Sequence, residues 1–379
     1  MKNIITVVGA RPQFIKASAV SRAIRDHFST KLNDTIVHTG QHYDQNMSEV
    51  FFSEMEIPPP AINLNSGSGN HGKQTGMMLQ GLEDIFIEKN PDLVVVYGDT
   101  NSTLAAALAA AKLHIPVAHI EAGLRSFNKK MPEEINRIVS DHSSTLLFAP
   151  TLEAIKNLKS EGISHSTCEK FSSDNPGVFH CGDVMYDNSL YFAKRVGKKH
   201  APEDLAGQAF YLSTIHRDFN TDNPVVLGEI LMALSEVADN EKKLIVIPLH
   251  PRTRAKLDAI PAEISAIIMA NERIRIIPPA SYLEMIWLEK NAEMIFTDSG
   301  GVQKEAFFFR KPLIILREET EWVEIAEAGA ARLAGADRQR IRKAARDFVV
   351  APPTHFPPLY GDGNAAETIC SEICSFLNI

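Results

Sequence analysis

Short runs of β-branched and aliphatic residues alternate along the chain with longer stretches of helical periodicity. Such alternation predicts parallel sheets crossed by helices. In the first half the apolar runs are IITVV, TIVHT, LVVVY, PVAHI and LLFA; in the second they are AFYLST, KLIVIPL, IRIIP, EMIFT and PLIIL. The stretch STLAAALAAAKL is made of strong helix formers and predicts a helix over residues 102–113. Between the two series, FSSDNPGVFHCGDVMYDN mixes polar, Pro and Gly residues around one short strand, which puts a junction near residues 175–190. The chain has 379 residues, more than one compact core usually takes. The pattern therefore predicts an α/β protein of two doubly wound units in tandem, with ligand expected in the cleft between them.

Charge and composition narrow the chemistry. With 39 Lys and Arg against 47 Asp and Glu, the net charge of −8 argues against a nucleic-acid groove, which needs a basic field. A small anion held by a local cationic pocket fits. The opening MKNIITVVGARP has too short an apolar run for a signal peptide, and no stretch approaches ~20 apolar residues. The expectation is a cytoplasmic protein without membrane attachment. Cys168, Cys181, Cys370 and Cys374 form no C-x-x-C pair and read as reduced thiols; no metal site is expected.

In parallel α/β sheets the binding groups lie just beyond the carboxyl ends of strands. Asp99 follows LVVVY, Glu121 and Arg125 follow PVAHI, and His216 and Arg217 follow AFYLST. HPRTR follows KLIVIPL, and DSGGVQKEA follows EMIFT. A single Asp in such a place is equally a helix cap, and Asp298 reads first that way. Recurrence at several strand ends points to binding. In TDSGGVQKEA, Ser299, Gly300 and Gly301 stand where a helix begins, so backbone N–H groups can face a phosphate. Glu305 follows by one turn and can accept from ribose hydroxyls. Lys304 lies outside the G-K-[ST] order, so this is not a Walker loop. In GARPQFIK, Arg11 at the turn and Lys16 one turn later offer positive charge to a diphosphate. Asp99, Glu121, Glu133 and Glu134 supply carboxylates. Pro132 should start a helix, so the adjacent Glu133 and Glu134 point in different directions, one inward and one to the surface or an ion pair.

The ordered set GARPQFIK, GQH, GDTNST, HIEAGLRS, PEEINR, FAPT, LHPRTR, TDSGGVQKEA and ETEW resembles the non-hydrolysing UDP-N-acetylglucosamine 2-epimerases, from the first strand to the C-terminal LYGDGNAAE. The resemblance implies the GT-B type fold of two Rossmann-like domains. They would span residues 1–180, rejoined by a C-terminal helix at 365–379, and residues 181–364. It also implies a UDP-sugar substrate, no cofactor and a homodimer. The reaction would be inversion at C2 by elimination and re-addition of UDP, through a 2-acetamidoglucal. Carried onto this chain, the family motifs put Arg11, Lys16, Asp99, Glu121, Glu133 and His216 in the catalytic group, with the carboxylates sharing candidacy for the C2 base. The same matching gives UDP to His250, Ser299, Gly300, Gly301 and Glu305.

Several positions depart from the common pattern. Trp322 stands where the family often has an arginine, and Phe219 where a glutamate is usual. Gln41 and His42 match part of a regulatory nucleotide-sugar site, whereas Tyr43, Asp44 and Lys73 do not. Arg252 and Arg254 in PLHPRTR, with TEWV and QKEAFFF, resemble the branch acting on UDP-2,3-diacetamido-2,3-dideoxyglucuronate, whose carboxylate would reward a guanidinium. A glycosyltransferase or a nucleotide-sugar sensor would share the architecture. The charged set at the strand ends favours the epimerase, and the lack of a membrane-docking segment disfavours a lipid-acceptor transferase.

Overall fold

The computed structural model describes residues 1–41, 49–67, 69–168, 170–202, 205–249 and 251–379, so His42 and His250 lie outside the described residues. The chain divides into two compact units, Met1–Asn188 with Pro358–Ile379, and Ser189–Pro357.

The first unit holds a parallel sheet of β1 (Lys2–Val8), β2 (Leu32–His38), β3 (Ile62–Asn63), β4 (Leu93–Tyr97), β5 (Val117–Ile120), β6 (Leu146–Ala149) and β7 (Gly177–His180). Their order is β3-β2-β1-β4-β5-β6-β7. The central strand β4, LVVVY, is buried along its whole length, as a strand covered by helices on both faces must be. The alanine-rich helix forms over Asn101–Lys112, capped by Thr100, whose hydroxyl accepts from the Thr103 amide at 3.3 Å. Its small side chains let it pack closely against Val94 and Val96 and against Met78, Leu82 and Phe86 of the helix His71–Lys89.

The C-terminal helix Ala365–Phe376 belongs to this unit and packs on the helix Arg11–Ala23, burying Ile369, Cys370 and Ile373. Its own N-cap residue Asn364 makes no side-chain cap. Asp187 takes that role from a distance, accepting from the amides of Ala365 at 3.1 Å and Ala366 at 2.7 Å. Two free helix N-terminal donors are thereby satisfied.

The second unit repeats the design with β8 (Phe210–Thr214), β9 (Leu244–Pro248), β10 (Ile274–Ile277), β11 (Ile295–Thr297), β12 (Leu313–Ile315) and β13 (Ala331–Leu333), all parallel and ordered β10-β9-β8-β11-β12-β13. Its core is built on the helix Pro224–Glu241, with Leu227, Ile230, Leu231 and Leu234 buried beneath Ile245, Ile247 and Phe296. In both sheets the strand order reverses beside the first strand, between β1 and β4 and between β8 and β11. Ligands of open α/β sheets bind at such switch points. Among the described residues, no helix is long and apolar enough to cross a membrane.

Candidate active site

The switch point of the first unit is held by a residue that the sequence reading passes over. Gln13 is buried, and its Oε1 accepts from the amides of Gly9 at 2.8 Å and Ala10 at 3.2 Å. Its Nε2 donates to the Tyr97 carbonyl at 2.8 Å and Thr103 Oγ1 at 3.0 Å. One amide side chain thus ties the turn after β1 to the end of β4. Gly9 is required for space: a Cβ there would lie 1.9 Å from Ser102 Oγ.

Lys16 and Glu121 meet in an ion pair, with 15% and 9% of their side chains exposed. The pair sits directly on Gly98, where a Cβ would come within 3.1 Å of both Glu121 Oε2 and Lys16 Nζ. Gly98 also has φ of +62°, so glycine is demanded twice over. Glu121 itself lies in the left-handed region at φ +72°. Non-glycine residues occupy that region at some cost and gather at functional sites. Asp99 Oδ2 accepts from Arg137 at 2.5 Å, and Arg137 reaches Glu134 at 3.0 Å. Arg11 opens its helix half-buried.

The adjacent glutamates separate as the proline-started helix Pro132–His142 requires. Glu134 points inward and is structural: it accepts from the Ser126 amide at 2.8 Å and the Phe127 amide at 3.0 Å. Burial opposes its charge, but these bonds and Arg137 hold its carboxyl below the ordinary range. Glu133 is exposed. Gln41 is buried, its Oε1 accepting from the Ser102 amide at 3.0 Å and hydroxyl at 2.7 Å. Arg125 is wholly engaged, bidentate to Glu161 at 2.7 Å and paired with Asp141 at 2.7 Å.

In the second unit Asp298 is not the helix cap that its position suggests. Ser299 caps the helix Gly300–Phe308, accepting from the Val302 amide at 3.4 Å. Asp298 reaches instead across the switch point, accepting from the amides of His216 at 3.1 Å and Arg217 at 3.0 Å and from Asn220 at 3.0 Å. The His216 Nδ1 lies 3.0 Å from Asp298 Oδ1. Burial works against the Asp298 charge, yet His216, Asn220 and the Arg217 amide hold its carboxyl below the usual range. The arrangement fixes the imidazole by one nitrogen and leaves the ring 45% exposed. His216 lines a cavity of about 420 Å³ with Ile215, Pro248, Pro279, Ser299 and Arg252.

Gly300 and Gly301 differ in what they accommodate. A Cβ at Gly300 would lie 2.5 Å from Glu321 Oε1, so that space is filled by the protein, whereas at Gly301 the nearest atom is Ser299 Oγ at 3.8 Å. Glu305 is buried and hydrogen-bonded to Glu289, whose pKa is pushed well above the carboxylate range by burial and by the Glu305 charge. Arg252 is 54% exposed and pairs with Asp218 at 2.9 Å and Asp222 at 3.3 Å. Trp322 is buried, with Lys304 Nζ 4.5 Å above its ring. Among the described residues, no group of three or more His, Cys, Asp or Glu is arranged to hold a metal ion.

A family model described as UDP-N-acetylglucosamine 2-epimerase matches residues 25–374. The UDP-2,3-diacetamido-2,3-dideoxy-D-glucuronate 2-epimerase of Pseudomonas aeruginosa is 48% identical over 367 residues, covering 97% of this chain and 98% of that protein. A UDP-N-acetylglucosamine 2-epimerase homolog of Methanococcus maripaludis is also 48% identical, over 97% of this chain and 98% of its own length. The crystal structure of Methanocaldococcus jannaschii UDP-GlcNAc 2-epimerase in complex with UDP-GlcNAc and UDP superposes with a TM-score of 0.82 at 40% identity, covering 98% of this chain and 99% of that one.

Proposed function

We propose that this chain, which belongs to the UDP-N-acetylglucosamine 2-epimerase family of isomerases, inverts C2 of a UDP-2-acetamido sugar by eliminating UDP and adding it back. The C2–H of such a sugar has no carbonyl beside it, so deprotonation needs a departing group. A base takes the C2 proton, the C–H electrons form the C1–C2 double bond, and the C1–O bond breaks with its electrons going to the diphosphate. UDP then returns to C1 as a proton reaches the other face of C2. No nicotinamide takes part.

The observation that carries this reading is the Lys16–Glu121 pair seated on Gly98 at the switch point of the first sheet. A carboxylate held against a lysine beside a second carboxylate, Asp99, is equipped to move a proton while positive charge meets a leaving diphosphate. In this proposal Glu121, Asp99 and Glu133 handle protons, and Arg11 and Lys16 stabilise the departing UDP. The second unit contributes His216, oriented by Asp298, and binds UDP through Ser299, Gly300, Gly301, Glu305 and His250, with Arg252 offered to the sugar. Gln41 and His42 stand as the proposed regulatory pair.

For the sugar we propose UDP-2,3-diacetamido-2,3-dideoxyglucuronate, a precursor of surface polysaccharide, with UDP-N-acetylglucosamine as the second candidate. The Pseudomonas relative supports the first and the complex of the Methanocaldococcus enzyme the second. The proposal includes a cytoplasmic homodimer, checked by sedimentation. Turnover in D2O should place deuterium at C2, read by proton NMR. Product that keeps its original hydrogen at C2 excludes the elimination route. A kcat/KM for UDP-N-acetylglucosamine equal to or above that for the uronate sinks the narrower assignment.

A further inference from the structure

Glu121 stands in an unfavourable backbone conformation, so something must hold it there. Its amide and that of Ala122 both donate to the Phe148 carbonyl at 3.1 Å, and the Gly98 amide donates to the Ile120 carbonyl at 3.0 Å, so the backbone ties the turn to both β6 and the end of β4. A side chain adds to that frame from beneath: His119, fully buried on β5. Its Nε2 lies 2.8 Å from the Gly98 carbonyl and its Nδ1 2.7 Å from Asp141 Oδ1. Both neighbours are acceptors, so the two bonds form together only when each ring nitrogen carries a hydrogen. Asp141, also fully buried, uses Oδ2 to accept from the Gly123 amide at 3.1 Å and from Arg125 at 2.7 Å. Burial opposes the Asp141 charge, and His119 and Arg125 outweigh it, keeping the carboxyl below its ordinary range.

The consequence is geometric. One carboxylate, in the helix Pro132–His142, grips the chain on both sides of Glu121, at His119 and at Gly123. Through His119 it also grips the Gly98 carbonyl, and Gly98 is the surface on which the Lys16–Glu121 pair rests. Gly123 has no latitude of its own: its φ is +80°, and a Cβ there would be 2.4 Å from the Ala154 carbonyl. We propose that His119 and Asp141 are positioning residues that fix the Glu121 carboxylate against Lys16 and Gly98, acting on the reaction through Glu121 without touching substrate. This rests on the assignment of Glu121 to proton transfer given above.

The test uses the isosteric variant Asp141→Asn and the ring-removing variant His119→Gln in the full chain, with the epimerisation assay and calorimetric UDP binding. Side chains that orient a reacting group typically cost about 10- to 100-fold when replaced. The expected result is a kcat loss of that order, with a smaller change in the Kd for UDP, since Ser299, Gly300, Gly301 and Glu305 of the other unit are untouched and only the contact proposed for Lys16 is disturbed. A double-mutant cycle separates positioning from general weakening. In a Glu121→Gln background, adding Asp141→Asn should change kcat by less than about twofold, because the group it orients is already gone. Wild-type kcat in either folded variant overturns the proposal, as does a full multiplicative loss in the double variant. Absence of a cooperative melt in both variants also overturns it, assigning the pair to structure alone. If Glu121→Gln itself keeps the wild-type rate, the underlying reading of Glu121 fails, and that outcome is distinct from the other three.

Discussion

At the scale of single residues, the carboxylates at the strand ends are held by neighbours that carry opposite charge or hydrogen-bond donors. Asp298 is the plainest case, since its carboxylate collects two backbone amides, Asn220 and the His216 ring. Asp298→Asn would turn an NH2 toward one of those donors and release the ring orientation. Turnover should fall about 10- to 100-fold in steady-state assays, with the fold retained. Because the native pKa of Asp298 lies below its ordinary value, its stabilisation is present above the ordinary carboxylate range and lost as pH falls through the native pKa. The variant should therefore have a flatter acid limb of stability. Asp34 has the opposite sign. Burial pushes its carboxyl up to about 6 from 3.8, with Ser21 Oγ only at the long limit of 3.5 Å. Stability is full below the unfolded pKa and declines as pH rises from 3.8 through about 6. Asp34→Asn should match the wild type in denaturant melts below pH 4 and exceed it above pH 7, by at most about 3 kcal/mol for two units of displacement. Equal stability at pH 8 would contradict this.

At the scale of elements, the helix Ala365–Phe376 depends on a carboxylate far from it in sequence. Asp187→Ala leaves the amides of Ala365 and Ala366 buried without an acceptor, at a cost of ~1–3 kcal/mol. Hydrogen exchange should show residues 365–376 losing protection while the second unit keeps its own; unchanged protection would refute the capping role. Such long-range partners mark what a sequence withholds. The runs that form β1, β2, β4, β5 and β6 are legible because they are apolar and bounded by turn residues. β3 and β13, of two and three residues, are too short to carry a period. The predicted helix at 102–113 forms at Asn101–Lys112, one residue earlier, because Thr100 caps it. Asp99, Glu121 and His216 lie just beyond the carboxyl ends of β4, β5 and β8, where the strand-end rule looks. The capping preference misreads Asp298, since a capping Asp and an Asp that orients a histidine have the same local sequence. Gln13, His119 and Asp141 go unseen because their partners are 84, 21 and 22 residues away.

At the scale of the whole molecule, the two series of strands foretell two parallel sheets, and the tandem repetition of one strand order follows from the same crossover logic applied twice. The first unit is discontinuous, closed by Pro358–Ile379 after all of Ser189–Pro357 has intervened. That feature has a bearing on biosynthesis. At ribosomal rates of ~5–20 residues per second, roughly 10–30 s separate the emergence of Asn188 from that of the segment that completes its unit. Through that interval the apolar face of the helix Arg11–Ala23 has no Ile369 or Ile373 to cover it, and Asp187 has no helix to cap. The unit begun first is the one finished last, so the nascent chain carries an unsealed hydrophobic seam while the later unit is already free to fold.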